Sequence, residues 1–188
     1  MTLRPGAFLD RDGVLNAVTV VDGIPHPPHR VDGLRLLDGV TAACQTLADA
    51  GAALIVVTNQ PDIGRGSTSL ADVEELNEKL RTLLPLDDVL VCPHDDIDAC
   101  ECRKPKPGLL FAGARRHGID LTRSVMVGDR WRDIDAGRAA GVRTVLIGND
   151  YRERPATGQD LTVSRLQDAV PWILERLQLK ESPPCPSM

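Results

Sequence analysis

Ala7-Phe8-Leu9-Asp10-Arg11-Asp12-Gly13-Val14-Leu15-Asn16 is the stretch on which the reading of this chain turns. Ala7-Phe8-Leu9 is a short apolar run that ends abruptly in charge, as a strand does on leaving a buried sheet. Asp10 and Asp12 stand two positions apart, so in extended backbone their side chains project to the same side. Gly13 lets the backbone turn sharply behind them. Neighbouring carboxylates repel, and a cation between them relieves the conflict. Alone, Asp-x-Asp-Gly also reads as a turn with solvated acids, so the decision rests on the rest of the chain.

Outward from this stretch the strand pattern repeats. Ala53 to Thr58, Val89 to Val91, Ser124 to Val127 and Arg143 to Ile147 are continuous apolar runs rather than alternating ones, which suits strands covered on both faces. Between them, Leu36, Leu37, Val40, Cys44, Leu47 and Ala48 recur at helical spacing, and Gly51 follows as a stop. Ser69-Leu70-Ala71-Asp72 is a capping-box pattern ahead of Val73, Leu76, Leu80, Leu83 and Leu84. Further helices are expected over Pro107–His117, Asp133–Ala140 and Ser164–Leu179. The alternation predicts an α/β fold, a doubly wound Rossmann-like and mainly parallel sheet that binds ligands at the carboxyl ends of its strands. One domain is expected over 1–180, with Cys44 in its core and 181–188, which includes Cys185, as a disordered tail.

Composition excludes several classes. Apolar residues at 42% and charged residues at 26% of 188 fit a soluble globular chain, not a disordered chain, a fibre or a coiled coil. A net charge of −5 supplies no basic field, so no nucleic-acid partner is expected. The longest fully apolar run, Ala52 to Val57, falls far short of the ~20 residues of a membrane span. The N-terminus shows no signal-type apolar segment, and a cytoplasmic location is expected. No partner motif is present; the oligomeric state is left open, with a monomer compatible.

Three more strand ends or helix starts carry chemistry. Val57-Thr58-Asn59-Gln60 offers a hydroxyl and two amides, Lys104-Pro105-Lys106-Pro107-Gly108 offers fixed cations, and Val127-Gly128-Asp129-Arg130-Trp131-Arg132-Asp133 offers acids again. With Asp-x-Asp these make the four motifs of the haloacid dehalogenase (HAD) superfamily of phosphatases, which the chain resembles over most of its length. The resemblance implies a capless core in which Asp10 attacks phosphorus and Asp12 serves as general acid and then base. It places a catalytic Mg²⁺ on the Asp10 carboxylate, the Asp12 backbone carbonyl and the Asp129 carboxylate. Thr58 and Lys104 would hold phosphoryl oxygens, with Lys106 as the rival lysine. Asp133 would orient Lys104 or the metal's water.

Cys92-Pro93-His94 and Cys100-Glu101-Cys102 form two close ligand pairs. Three thiolates and an imidazole suit a closed structural Zn²⁺ site; the other reading is a loop of free thiols, while a Cys100–Cys102 disulfide would be strained. This zinc loop, 92–102, narrows the resemblance to the heptose-bisphosphate phosphatases and the phosphatase part of the histidinol-phosphate phosphatases. In that group the positions of Arg103 and Arg130 contact substrate. The expected substrate contacts are Asn16, Thr58, Asn59, Gln60, Arg103, Lys104 and Arg130. The loop from Asn16 to Val31 is expected to select substrate, with His26 and His29 more in keeping with a rigid Pro-rich turn than with substrate contact. The leading expectation is a small phosphorylated sugar, a heptose 1,7-bisphosphate that loses its 7-phosphate. Histidinol phosphate is the alternative, and its ammonium would call for acids near the entrance. A catalytically idle zinc-stabilised binding module is the reading from a different class, against which every catalytic position is filled.

Overall fold

Strand β1 (Gly6–Leu9) is buried along its whole length, with Ala7 and Leu9 turned to one layer of core and Phe8 to the other. The same alternation runs through β4 (Ala53–Asn59): Leu54 and Val56 join the first layer, and Ala53, Ile55 and Val57 the second. Both faces are therefore apolar, which explains the continuous runs in the sequence. The computed structural model describes residues 3–179, so the expected tail over 181–188 lies outside the described residues.

Between these strands come β2 (Thr19–Val21), β3 (Ile24–His26) and α1 (Val40–Asp49); α2 (Pro61–Gly64), α3 (Leu70–Leu83), β5 (Asp88–Cys92) and α4 (Gly108–His117) follow. The chain continues through β6 (Val125–Gly128), α5 (Trp131–Ala140), β7 (Arg143–Ile147), β8 (Leu161–Val163) and α6 (Leu166–Leu177). Six strands pair in the order β5-β4-β1-β6-β7-β8, all parallel. Helices α1 and α6 cover one face of the sheet, α4 and α5 the other. The chain winds outward in one direction from β1 through β4 and β5 and in the other through β6, β7 and β8. Connections therefore diverge between β1 and β6, and a crevice opens there at the carboxyl ends.

All five expected strands form, and a sixth, β8, joins the edge. The Asn16–Val31 loop contains a hairpin, β2 against β3, turned by Asp22 (φ 52°) and Gly23 (φ 78°). Helix α1 begins only at Val40, after a left-handed Gly39; Leu36 and Leu37 pack on the core from the segment before it. Ser69 and Asp72 close the expected capping box at the start of α3. Among the described residues no helix is long and apolar enough to cross a membrane.

Phe8 bridges β1 and the α4 layer with no exposed surface, and a Cβ at Gly113 of α4 would come 3.1 Å from its ring. Phe8→Ala should cost about 3–5 kcal/mol, read as a lower midpoint in equilibrium denaturant unfolding.

Candidate active site

Asp10, Thr58, Asp129 and Asp133 are each delivered by the end of a strand or the start of a helix. Asp10 is the first residue after β1 and Thr58 the penultimate residue of β4; Asp129 follows β6, and Asp133 lies in the first turn of α5. Register aligns these ends, since Leu9 pairs with both Val56 and Val127. Gly13, at φ +84°, runs so close to Asp129 that a Cβ would lie 1.8 Å from its Oδ2. A Cβ on Gly128 would lie 2.0 Å from that of Asp133. Glycine at both places lets the acids close on one another.

Lys104 is the hub of this floor. Its Nζ lies 2.8 Å from Asp10 Oδ1 and 2.6 Å from Asp133 Oδ1, and donates to the Val57 carbonyl at 2.7 Å. Three protons meet three acceptors, and the side chain is 2% exposed. Burial alone would lower the Lys104 pKa, but the Asp10 and Asp133 charges hold it above the ordinary lysine value. Burial pushes the Asp10 carboxyl up to about 7, against the pull of Lys104 and with added repulsion from Asp133 and Asp12. Asp129 is raised well above the usual carboxylate range, first by burial and then by Asp10 and Asp133, while a hydrogen bond from the Tyr151 hydroxyl works the other way. Oxygens of Asp10, Asp129 and Asp133 lie within 4.8 Å of one another, and Asp129 Oδ1 is buried without a partner. One ammonium among three buried acids leaves a deficit that a hard divalent cation fits.

The remaining candidates divide between floor and wall. Asp12 accepts from Gln60 Nε2 (2.7 Å), Asn16 Nδ2 (2.8 Å) and Arg11 Nε (3.1 Å). The Gln60 amide also reaches Thr58 Oγ1 at 3.0 Å. Asn16, expected to contact substrate, is wholly buried and turned toward Asp12 instead. Asn59 clips the Lys104 backbone, donating to its carbonyl at 3.0 Å and accepting from its amide at 3.1 Å. Lys106 pairs with Glu101 at 2.8 Å and does not line the cavity, whereas Lys104 does. The sequence reading missed Arg11, 1% exposed between Asp12 and Asn77 of α3, and Tyr151 on Asp129.

Above the floor lies a cavity of about 410 Å³. The β2–β3 hairpin supplies one wall with Ile24, Pro25 and His26; His29 is not part of it. Arginines line the mouth, each with an acidic partner: Arg65 with Asp95 (2.6 Å), Arg103 with Asp96 (2.7 Å), Arg132 with Asp96 (3.0 Å), and Arg130 with Glu153. Arg132 and Glu153 were not expected at the site from the sequence.

Beside the mouth, Cys92, His94, Cys100 and Cys102 converge. Cys102 Sγ lies 3.2 Å from Cys92 Sγ, 3.4 Å from Cys100 Sγ and 3.3 Å from His94 Nδ1; Cys92 to Cys100 is 3.7 Å. Sulfur ligands at ~2.3 Å from a tetrahedral metal stand about 3.7 Å apart, so the set fits a closed four-ligand site, and no disulfide joins these thiols. Cys92 ends β5 and Cys102 stands two residues before Lys104, so this cluster ties the lysine loop to the sheet.

A HAD-hydrolase-like family model matches residues 101–169. The D-glycero-beta-D-manno-heptose-1,7-bisphosphate 7-phosphatase of Salmonella typhi is 35% identical, covering 92% of this chain and 91% of its own. The D-glycero-D-manno-heptose-1,7-bisphosphate 7-phosphatase of Thermosynechococcus vestitus is 36% identical over 93% of this chain and 97% of its own. Among solved structures, the D,D-heptose 1,7-bisphosphate phosphatase of B. bronchiseptica, complexed with magnesium and phosphate, superposes with a TM-score of 0.77 at 30% identity. That match covers 93% of this chain and 99% of the other.

Protons and a divalent cation compete for the acidic cluster. Asp10 and Asp129 are both raised in the folded protein, so the native state holds more protons than the unfolded chain from about pH 4 to about pH 7. The cluster's contribution to stability therefore falls as pH rises through that window. A bound cation offsets the penalty only where the carboxylates are ionised. The rise in Tm on adding Mg²⁺ should be larger at about pH 8 than at about pH 5.5 and should vanish in Asp129→Asn; equal shifts at both pH values would place the cation elsewhere.

Proposed function

The chain belongs to the family of HAD-like phosphatases represented by the D-glycero-D-manno-heptose-1,7-bisphosphate 7-phosphatases, and from that premise we propose that it hydrolyses the 7-phosphate of D-glycero-D-manno-heptose 1,7-bisphosphate. The observation that carries the reading is the buried Asp10–Lys104–Asp133 network beside the unpartnered Asp129 Oδ1. It forms the floor of a cavity with arginines at its mouth.

Phosphoryl transfer needs positioning and charge neutralisation more than covalent machinery. Asp10 attacks phosphorus, the bond from phosphorus to the sugar oxygen breaks, and Asp12 gives that oxygen its proton. Asp12 then takes a proton from water, which attacks the aspartyl phosphate and releases inorganic phosphate and free Asp10. Mg²⁺, held by the Asp10 and Asp129 carboxylates and the Asp12 carbonyl, would supply charge that offsets repulsion between the nucleophile and the phosphate. Gln60 and Asn16 hold the Asp12 carboxylate in place. Because Thr58 Oγ1 accepts from Gln60, its own proton is available for a phosphoryl oxygen. Lys104 already meets three acceptors, so contact with a phosphoryl oxygen exchanges one of them. Its bond to Asp10 is the dispensable one, since attack converts that carboxylate into an acyl phosphate.

The mouth bears on the substrate. Arg103 and Arg130 suit the anionic far end of a bisphosphate. Histidinol phosphate would bring an ammonium, and acids do stand at the mouth. Asp62, Asp95, Asp96 and Glu153 are each paired with arginine, so a cation finds them engaged, which supports the bisphosphate. At the thiol cluster the donor set supports structural Zn²⁺, held by Cys92, His94, Cys100 and Cys102. A cytoplasmic site of action in carbohydrate metabolism accords with this substrate.

Asp10→Asn should abolish Mg²⁺-dependent phosphate release from the bisphosphate while leaving the circular dichroism spectrum and Tm near wild type; more than trace turnover would remove Asp10 as nucleophile. A wild-type preference for histidinol phosphate over both bisphosphate anomers would overturn the substrate. Cys102→Ser should reduce bound zinc by elemental analysis and lower Tm by several degrees, a structural site of this kind being coupled directly to folding. Unchanged Tm with no zinc in either protein would refute the structural metal.

A further inference from the structure

Arg103 is held at the mouth by two hydrogen bonds that leave one arm of its guanidinium over. Its Nε donates to Asp96 Oδ1 at 2.7 Å and its Nη1 to the His94 carbonyl at 3.1 Å. Its Nη2 stands 3.9 Å from Asp95 Oδ1, beyond hydrogen-bond length. Asp96 is itself fixed from the far side of the crevice. Arg132, in the first turn of α5, grips it with both terminal nitrogens, Nη1 to Oδ1 at 3.1 Å and Nη2 to Oδ2 at 3.0 Å. Arg132 in turn stacks 4.6 Å from the ring centre of Trp131, whose ring also carries Arg154, 4.6 Å from its centre. The Asp96 turn is braced by Asp95, whose carboxylate accepts from the Asp96 amide at 2.7 Å and whose amide donates to Asp98 at 2.7 Å.

We propose that Asp96, anchored by Arg132, is a positioning residue that aims the free arm of Arg103 at the second anionic group of the substrate. The inference rests on the bisphosphate reading above and deepens it. An ion pair this open to solvent adds little to stability; Asp96 is 56% exposed, whereas Arg103 is 11% exposed. What the carboxylate fixes is direction. A guanidinium restrained through Nε and one Nη presents the other Nη in a set direction, which is what specificity for an anion at a fixed distance from the reacting phosphorus requires. Arg132 has both terminal nitrogens on Asp96, so it acts through Asp96. Selectivity is thus carried by a chain from α5 to the cysteine loop, Arg132 to Asp96 to Arg103.

The test compares wild type, Asp96→Asn and Asp96→Glu on heptose 1,7-bisphosphate and on p-nitrophenyl phosphate, which has no second anion. In Asp96→Asn, KM for the bisphosphate should rise about tenfold, the loss of roughly one charge-assisted hydrogen bond, with kcat within about twofold. Constants for the aryl phosphate should not move, and Asp96→Glu should recover part of the loss. Placed on Arg103→Ala, the same change should add nothing further. An unchanged or lower KM, or equal losses on both substrates, overturns the proposal. NMR of the arginine Nε–H groups separates the two layers of inference. The Arg103 signal should be sharp in wild type and broadened in Asp96→Asn; an identical signal in both overturns the positioning role whatever the substrate. If the signal broadens yet wild type shows no preference for the bisphosphate, the positioning stands and the substrate reading fails.

Discussion

The site is organised around a charge imbalance that the fold builds into its interior. Asp10, Asp129 and Asp133 are buried within one cluster, and Lys104 is the cation that reaches them there. Burial of unpaired carboxylates is expensive, and the raised Asp10 and Asp129 register that cost. Of the carboxylate oxygens, Asp129 Oδ1 has no partner at all. A divalent ion brings the balance to neutrality, and a phosphate dianion needs such a positive complement at its docking point. Ground-state strain and catalytic need therefore share one origin, as expected where perturbed acids cluster in a cleft.

Lys104 holds this position because strand β4 and the thiol cluster both converge on it. The Val57 carbonyl of β4 takes one proton, Asn59 clips its backbone on both sides, and the thiol cluster lies two residues upstream. A lysine on an ordinary loop would lose rotamer entropy on being buried and would retreat to solvent. Here the ion pairs to Asp10 and Asp133 and the bond to the Val57 carbonyl hold the side chain inside against that cost. The metal-type cluster, distant from the chemistry by function, is thus adjacent to it by covalent structure.

The legible part of this molecule is what is contiguous in the chain. Asp10, Thr58, Lys104 and Asp129 follow apolar runs or precede helices, so local pattern and fold rule together place them. Strand β8 was not legible because its three residues are only partly covered at the sheet edge. The hairpin did carry a signal: Asp22-Gly23 between β-branched residues is a typical two-residue turn, obscured by Pro25 and by the exposure of Val20, Val21 and Ile24. For Asn16 the motif position says which neighbourhood it occupies, not that its amide turns to Asp12. Pairings across long separations, Arg130 with Glu153 or Arg132 with Asp96, have no local signature.

Those long-range pairs change what the mouth can do. Four arginines there would suggest a positive funnel, yet Asp62, Asp95, Asp96 and Glu153 return the charge at close range, and the chain as a whole carries −5. Long-range steering of a polyanion is correspondingly weak. Affinity for a second anion must come from contact geometry, from the guanidinium arms that Arg103 and Arg130 have left over after their internal pairs are made. A ligand with two anions at the right separation uses those arms, a single anion leaves them unused, and a cation meets carboxylates that are already engaged. Discrimination then depends on the distance between two anions rather than on total charge, a stricter criterion than an unpaired basic patch could apply.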